Sequence, residues 1–294
     1  MKNIVARPLP LLAGLGAALV LSACGGGGGG GDTTPPPPPP PVDTPELMVT
    51  MGLPGPDVPS GYAQTVATVK VSNVGKAAAA STDVSISADA LLERFQVSAC
   101  SSDSLATACP SLGSRMTISN LAPGASLTFD VSGTVKLGTS GSVNVAAEAS
   151  TNTGTNLSSS KQSVGFKAYT NDVSIKLDGP TASVPAGGSF QYVVTVANSG
   201  PDAAKRVTLT LNQISSKTPV LGAMTCVAAG GAECPSSLND KSMGVLLLPK
   251  DGSLVFTLPY TFNPGETAGL IFAGKVEARG DADTRNDSAS LITP

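Results

Sequence analysis

The sequence carries the same order of features twice, about 125 residues apart, and this duplication constrains the fold more than any other property of the chain. The matching segments are Asn73-Val74-Gly75 with Asn198-Ser199-Gly200, Cys100 with Cys226, Cys109-Pro110 with Cys234-Pro235, Gly124 with Gly252, and Asn156-Leu157-Ser158 with Asn286-Asp287-Ser288. Because an internal repeat indicates one structural unit present twice, we expect two modules of one design, at residues 46–168 and 169–294.

The first module alternates apolar and polar residues with the period of two that is typical of half-buried β-strands. The pattern falls on residues 46–51, 65–72, 82–87, 126–135, 141–149 and 161–166. Helical periodicity is limited to residues 89–95, where we expect one or two turns at most. The sequence therefore predicts an all-β sandwich or barrel.

The second module begins with a predicted strand at residues 172–177, and its clearest alternation lies at residues 190–197 and 254–262. The aromatic and aliphatic residues of these two segments share one face, which we expect to be core rather than a binding surface. Pro259 has no backbone N–H to donate, so we expect its strand to lie at a sheet edge or to carry a bulge.

One segment of the second module resembles the bacterial surface repeat called domain-of-unknown-function 11. It is Tyr192-Val193-Val194-Thr195-Val196-Ala197-Asn198-Ser199-Gly200-Pro201-Asp202-Ala203-Ala204, with two cysteines after it. The resemblance covers about residues 170–294, whereas the first module has Lys76 where the family usually has proline and a different loop at residues 77–80. It implies two tandem immunoglobulin-like β-sandwiches on a secreted or envelope protein, and it brings no catalytic residues.

The amino-terminal segment has the three parts of a secretory signal. Lys2 and Arg7 accompany an apolar stretch at residues 9–20, and Leu21-Ser22-Ala23-Cys24 follows it. The apolar stretch is shorter than the roughly 20 residues that a membrane-spanning helix needs. The segment resembles a bacterial lipoprotein signal, which implies removal of residues 1–23, acylation of Cys24 and, from Gly25, an outer-membrane location. Two or three acyl chains at Cys24 would anchor the protein durably.

Residues 24–45 connect this anchor to the modules and are expected to be disordered. The glycines at residues 25–31 form a flexible coil, and the prolines at residues 35–41 favour a polyproline II rod of roughly 20 Å. We therefore expect the modules to stand away from the lipid.

The composition excludes several classes of function. The chain contains no histidine and no tryptophan, which excludes histidine-based triads and zinc sites with imidazole ligands. It has 18 Lys and Arg against 21 Asp and Glu, without the basic clusters that nucleic acid binding needs. We expect neither an enzyme nor a cofactor, and no spacing supports the one possible acid pair, Glu266 and Glu277.

Four cysteines remain once Cys24 is acylated, and they could pair in three ways. The duplicated spacing favours Cys100 with Cys109 and Cys226 with Cys234, as structural disulfides of an oxidising compartment. A redox or metal-binding thiol pair is the alternative, but neither pair has C-x-x-C spacing.

Three aspartates, Asp281, Asp283 and Asp287, form the one calcium candidate of the chain, because they place several oxygen ligands in one segment. The segment lacks the glutamate and glycine of a calcium hand, so we expect a solvent-exposed hairpin tip and no metal. The repeated pair of asparagine and glycine, at Asn73 and Asn198 with the glycines two residues later, is expected to form turns with positive φ. Lys205-Arg206 is expected to be an ordinary exposed pair.

Two functions fit these observations. The first is a non-enzymatic lipoprotein of the outer membrane whose modules act as a surface-exposed stalk, adhesion module or scaffold for a protein partner. The alternative is a periplasm-facing assembly or carrier protein that binds its client by strand addition at an exposed sheet edge.

Overall fold

The computed structural model describes residues 42–151 and 158–294. All regular structure in these residues is β-strand, so the all-β prediction is confirmed. The same residues contain no helix that is long and apolar enough to cross a membrane. The predicted signal peptide, Cys24, most of the glycine and proline linker, and Asn156 lie outside the described residues.

The first module is a sandwich of two sheets. Its nine strands within the described residues are β1 (Leu47–Gly52), β2 (Asp57–Pro59), β3 (Ala63–Asn73), β4 (Ala79–Ala88), β5 (Leu92–Ser102), β6 (Arg115–Leu121), β7 (Ser126–Val135), β8 (Gly141–Thr151) and β9 (Ser158–Tyr169). One sheet has the strand order β1-β3-β7-β5, and the other has the order β2-β9-β8-β4-β6. All pairs are antiparallel except β2 with β9, which is parallel.

The second module repeats this architecture. Its nine strands in the described range 158–294 are β10 (Val173–Asp178), β11 (Ser189–Asn198), β12 (Ala204–Ser215), β13 (Val220–Leu221), β14 (Thr225–Ala229), β15 (Ser242–Leu248), β16 (Ser253–Thr261), β17 (Leu270–Glu277) and β18 (Ser288–Thr293). One sheet has the order β10-β11-β16, with β13 and β14 both pairing on the far side of β16, and the other has the order β15-β12-β17-β18.

Both modules have the topology of an immunoglobulin-like sandwich. In an immunoglobulin domain, strands A, B, E and D form one sheet and strands C, F and G form the other. The first sheet of each module matches A-B-E-D, with β13 and β14 together in the place of β5. The second sheet matches C-F-G, with β6 or β15 added beside strand C. The prediction of two tandem immunoglobulin-like β-sandwiches is therefore confirmed.

Each sandwich encloses a hydrophobic core of its own. The first core extends from Leu47 to Ala168 and consists mainly of small aliphatic side chains. The second core extends from Val173 to Val276 and contains more aromatic side chains. Tyr192 of β11 stacks on Phe272 of β17 across the two sheets, with 4.1 Å between the ring centroids. The alternating residues of β11 and β16 are thus core, as predicted.

The segment at residues 89–95 is not helical. It forms a turn, in which the Leu92 N–H donates to the Asp89 carbonyl (2.9 Å), and then enters β5. Leu92 and Val97 of β5 are buried in the first core. Because a short isolated helix is marginal in water, this burial outweighs the local helical pattern.

The prediction that Pro259 lies at an edge or a bulge is wrong, because the pairing of its strand with β11 is continuous through it. Its strand, β16, is interior, with β11 on one side and β13 and β14 on the other. Pro259 lies opposite the break between β13 and β14, and its carbonyl accepts a hydrogen bond from the Gly222 N–H (2.7 Å). Proline has no backbone N–H to donate to a neighbouring strand. Because neither β13 nor β14 pairs with Pro259, the sheet accommodates proline at this break.

A disulfide closes a short loop in each sandwich. Cys100 of β5 bonds to Cys109, and Cys226 of β14 bonds to Cys234, which is the pairing that the duplicated spacing favours. The Cα–Cα distance is 6.0 Å in both bonds, and the paired cysteines are 9 and 8 residues apart in sequence. Each bond therefore ties an outer strand to the connection that leads into the opposite sheet.

Candidate functional site at the junction of the sandwiches

A buried asparagine ends the second long strand of each sandwich, Asn73 in β3 and Asn198 in β11. Asn198 Oδ1 accepts hydrogen bonds from the backbone N–H groups of Asp172 (3.2 Å) and Gly200 (3.1 Å). Its Nδ2 donates to the carbonyl of Asp202 (2.9 Å). The side chain thus fastens the entry of the second sandwich to the loop after β11.

Asn73 makes the equivalent contacts in the first sandwich. Its Oδ1 accepts from the N–H groups of Glu46 (3.2 Å) and Gly75 (3.1 Å), and its Nδ2 donates to the carbonyl of Ala77 (2.8 Å). The prediction of positive φ is wrong for both asparagines and for the glycines that follow them. Their side chains satisfy backbone groups directly, so the turn needs no left-handed residue at these positions.

Gly75 and Gly200 are required by close packing instead. A Cβ atom at Gly200 would lie 2.4 Å from the backbone nitrogen of Asp172, and one at Gly75 would lie 2.4 Å from that of Glu46. The repeated pair of asparagine and glycine therefore brings two backbone segments together in each sandwich.

The link between the sandwiches consists of Thr170 and Asn171, and the second sandwich holds both. The Thr170 hydroxyl and the Asn171 N–H donate to the carbonyl of Gly280 (3.0 and 2.8 Å). Asn171 Nδ2 donates to the carbonyl of Arg279 (2.7 Å), and the Thr170 N–H donates to Asp202 Oδ2 (3.1 Å). These bonds fix the link rather than leaving it free to swivel.

Side chains also cross the junction directly. Lys205 of the second sandwich donates a hydrogen bond to the Asp57 carboxylate of the first, and its ammonium lies 5.2 Å from the centre of the Tyr169 ring. Lys167 Nζ of the first sandwich lies 3.5 Å from Asp202 Oδ1 of the second. The junction is thus polar and charged.

The charge of Asp202 is stabilised by the first sandwich. Burial alone would raise the pKa of Asp202, but hydrogen bonds from Ser140 and from the Thr170 N–H, together with the nearby Lys167 ammonium, lower this pKa below its usual value. Ser140 and Lys167 belong to the first sandwich, so the ionised carboxylate of Asp202 contributes to the junction itself.

A cleft of about 380 Å³ opens at this junction. Its lining includes Asp57, Gln64, Tyr169, Lys205, Arg206 and Arg279. The Arg279 guanidinium lies 5.4 Å from the centre of the Tyr62 ring. Lys205 is thus partly covered and paired with Asp57, whereas Arg206 is exposed as predicted, and both residues line one basic cleft between the sandwiches.

The calcium candidate is rearranged in the structure. Asp281 and Asp287 come together and are 8% and 7% exposed, so the prediction of a solvent-exposed hairpin tip is wrong for these two residues. Asp283 instead forms an ion pair with Arg285, with 2.7 Å between its Oδ2 and the Arg285 Nη2. Within residues 42–151 and 158–294, no three side chains of Asp, Glu, His or Cys are grouped so as to hold a metal ion.

Burial raises the pKa of both of these carboxyl groups, Asp281 and Asp287, above its usual value. Burial, followed by the charge of the neighbouring Asp281 and a hydrogen bond to it, raises the pKa of Asp287 to about 7. Burial also raises the pKa of Asp281, whose carboxylate accepts from the N–H groups of Val173 (3.3 Å) and Asp283 (3.0 Å). Asp281 thus connects the segment after β17 to the start of β10.

The possible acid pair Glu266 and Glu277 is not brought together. Glu277 ends β17, whereas Glu266 lies before the start of that strand, so the length of β17, roughly 25 Å, separates them. Glu277 Oε1 accepts a hydrogen bond from Lys275 (2.6 Å), and Glu266 Oε1 lies 3.6 Å from the Lys217 ammonium. Both carboxylates are therefore in separate surface ion pairs.

The fold and this junction define a protein of two tandem immunoglobulin-like sandwiches joined by a short, hydrogen-bonded link. No family model matches the sequence, and no curated protein does. The search of solved structures finds distant similarity to bacterial proteins, an adhesin among them, at low sequence identity.

Three of these structures illustrate the similarity. The C-terminal domain of the Streptococcus agalactiae AgI/II polypeptide BspA has a TM-score of 0.41 and 10% identity, covering 84% of this chain and 99% of that one. The C-terminal domain of the Streptococcus pyogenes antigen I/II-family protein AspA has a TM-score of 0.38 and 9% identity, covering 84% and 98%. The collagen adhesin of S. aureus has a TM-score of 0.29 and 10% identity, covering 83% and 91%.

Proposed function

We propose that the protein is a non-enzymatic lipoprotein of the cell envelope, anchored through Cys24, whose two sandwiches form a surface-exposed stalk that binds a protein partner. In this proposal the acylated Cys24 fixes the protein to the membrane and the linker separates the sandwiches from the lipid. The sandwiches carry the surface that binds the partner.

The observation that carries this proposal is the fixed junction. Tandem domains move relative to each other by default unless their interface holds them. Here Thr170 and Asn171 are hydrogen-bonded to the second sandwich, and Lys205 and Asp57 form an ion pair between the sandwiches. A tandem held in this way moves as one unit, which is the property that a stalk or a binding surface built from both sandwiches needs.

The disulfides and the side-chain chemistry agree with this role. Disulfides persist in oxidising compartments, and each sandwich contains one. The chain has no histidine, and Glu266 and Glu277 lie in separate ion pairs.

The anchor and the surface location are tested together in cells of the native host. Cells are labelled with palmitate, and intact cells are then treated with a protease. We expect label on the wild-type protein, none on a Cys24→Ser variant, and cleavage of the wild-type sandwiches in intact cells. An unlabelled wild-type protein, or one that is cut only after lysis, would contradict the proposal.

A second candidate function has one specific observation in its favour. Strand β18 pairs with β17, and no strand of the described residues pairs with its other edge. Ile292 of β18 is 70% exposed and lies in a row with Ile271 of β17 and Ile214 of β12, which are also exposed. An apolar row beside an open edge favours the addition of a client strand.

This carrier function predicts a different result in the same experiment. The sandwiches of a periplasm-facing carrier would be protected in intact cells and cut only after the outer membrane is permeabilised. An Ile292→Lys variant would then lose its client, whereas a Thr210→Lys variant, changed on the same outer face of β12, would keep it.

A further inference from the structure

The basic cleft at the junction has walls from both sandwiches. The first sandwich contributes Asp57 of β2 and Gln64 of β3, and the second contributes Lys205 and Arg206 of β12 together with Arg279 beyond β17. The cleft therefore exists only because the link holds the two sandwiches together. Its volume of about 380 Å³ suits one or two side chains of a partner rather than a large ligand.

The charge of the cleft is opposite to that of the chain. The whole protein has a net charge of −3, yet the cleft is lined by three cationic side chains and one carboxylate. Asp57 pairs with Lys205, and neither Arg206 nor Arg279 forms an ion pair with any residue that the structure describes. Two guanidinium groups are thus left to interact with a negatively charged ligand.

Both guanidinium groups are attached to restrained positions. Arg206 has a φ of 55°, a left-handed conformation that side chains other than glycine adopt rarely and that clusters at functional sites. The Arg279 guanidinium rests over the Tyr62 ring at 5.4 Å. A side chain that already has a contact loses less conformational entropy when it binds, so Arg279 is partly positioned for a ligand.

An unpaired donor in the cleft indicates the kind of atom that binds there. Gln64 Nε2 is buried and has no hydrogen-bond partner. A buried donor without an acceptor is unfavourable, and a ligand oxygen would supply the acceptor. The lining of the cleft thus includes one amide and two guanidinium groups that can donate hydrogen bonds.

We propose that this cleft binds the carboxylate of an acidic side chain, Asp or Glu, on a protein partner, with Arg206 and Arg279 as its cationic ligands and Gln64 as an additional donor. Guanidinium groups bind carboxylates through two parallel hydrogen bonds, a geometry that lysine does not offer. Pro56 and Pro59 add apolar walls for the methylene groups of such a side chain. A long acidic polysaccharide would need an extended row of cations, whereas this site is a single small cleft.

The inference rests on the proposed function in assigning the ligand to a protein partner, but the binding itself does not depend on the anchor. We would measure binding of a fluorescent octaglutamate peptide to the purified full-length mature protein in detergent by fluorescence anisotropy. Saturable binding that weakens as salt increases is expected, because salt screens charge pairs at the surface. The two tests are independent. Failure to bind the peptide would not contradict the acylation of Cys24, and the absence of acylation would not contradict binding at the cleft.

Two sets of variants test the site. The double variant Arg206→Gln with Arg279→Gln should lower the affinity at least tenfold. The control Arg94→Gln with Arg115→Gln removes the same charge from the first sandwich, outside the cleft, and should change the affinity less than twofold. The near-isosteric variant Gln64→Glu keeps the volume and adds a repelling charge, so it should abolish binding, and circular dichroism should show that the β-structure is kept.

Three results would overturn the inference. The first is the absence of saturable binding by the wild-type protein, and the second is an equal loss of affinity in the cleft and control double variants, which would indicate bulk charge only. The third is stronger binding of dextran sulfate than of octaglutamate in a competition experiment, which would assign the cleft to a sulfated polysaccharide.

Discussion

Asn73 and Asn198 lie at equivalent positions in the two sandwiches and make the same hydrogen bonds. The Oδ1 atom of each asparagine accepts two hydrogen bonds from backbone N–H groups. One comes from the residue before the first strand of the sandwich, and the other from the glycine two residues after the asparagine. Each also donates through Nδ2 to a carbonyl across the sandwich, that of Leu121 (3.0 Å) or of Leu248 (2.9 Å). The repeated asparagine is therefore a structural residue, used twice for one purpose.

Removing this side chain should destabilise the protein strongly. In Asn198→Ala, several buried backbone groups lose their partners, and we expect the free energy of unfolding to fall by about 2 to 4 kcal/mol. Urea unfolding followed by circular dichroism measures the change. The control Asn212→Ala removes an exposed asparagine of β12 and should change the free energy by less than about 0.5 kcal/mol. Equal effects of the two substitutions would contradict the role given to Asn198.

Substitution of the paired glycine should be harmful for a steric reason. In Gly200→Ala the new Cβ would meet the Asp172 nitrogen at 2.4 Å, so the backbone must shift, and we expect a loss of about 2 to 3 kcal/mol. Gly244→Ala is the matched control, because no atom lies within 4 Å of its Cβ position and its φ is not positive. Thermal unfolding of both variants compares them, and a tolerated Gly200→Ala would refute the close approach.

The buried pair Asp281 and Asp287 makes stability depend on pH. The pKa of Asp287 is about 7 in the folded protein and about 3.9 in an unfolded chain, so the folded state binds more protons between these values. The contribution of this group is therefore fully present below about pH 4 and is lost as the pH rises through about 7.

Asp287→Asn should remove this dependence. We expect the variant to be more stable than the wild type at pH 8, by roughly 2 to 4 kcal/mol, and to lose that advantage at pH 4. Melting temperatures at pH 4, 5.5 and 8 provide the test. The control Asp283→Asn, which breaks the surface pair with Arg285, should not reproduce the effect. A constant difference between variant and wild type at all three pH values would show that the pKa of Asp287 is not raised in the folded protein.

Each disulfide should stabilise its own sandwich. Replacing both cysteines of one bond by alanine, at Cys226 and Cys234, should lower the free energy of unfolding by about 2 to 3 kcal/mol, as expected for closing a loop of this length. The same change at Cys100 and Cys109 should have a similar effect on the first sandwich. Peptide mapping without reduction should find each bond inside one sandwich, and a bond between the sandwiches would contradict the fold.

Local patterns in the sequence predict the strands well. The predicted strand at residues 126–135 coincides with β7, because Leu127, Phe129 and Val131 alternate regularly and face one core. The duplicated cysteines likewise indicate their pairing from spacing alone. In both cases the residues that decide the outcome lie close together in the chain.

The junction could not be predicted in this way. Asp57 and Lys205 are 148 residues apart, and nothing in their local sequence relates them. The charge of Asp172 raises the pKa of Asp281 and Asp287. It does so only because β10 starts beside the segment after β17. The one signal that could have indicated the cleft is the adjacency of Lys205 and Arg206 in a chain whose other basic residues are scattered.

The central proposal is that acyl chains at Cys24 hold the two joined sandwiches away from a membrane. The intact mass of the mature protein, purified from its native membrane, tests this claim most directly. The account predicts a polypeptide that begins at Cys24 and carries the added mass of two or three acyl chains. A mass equal to that of a bare polypeptide that begins at another residue would contradict it.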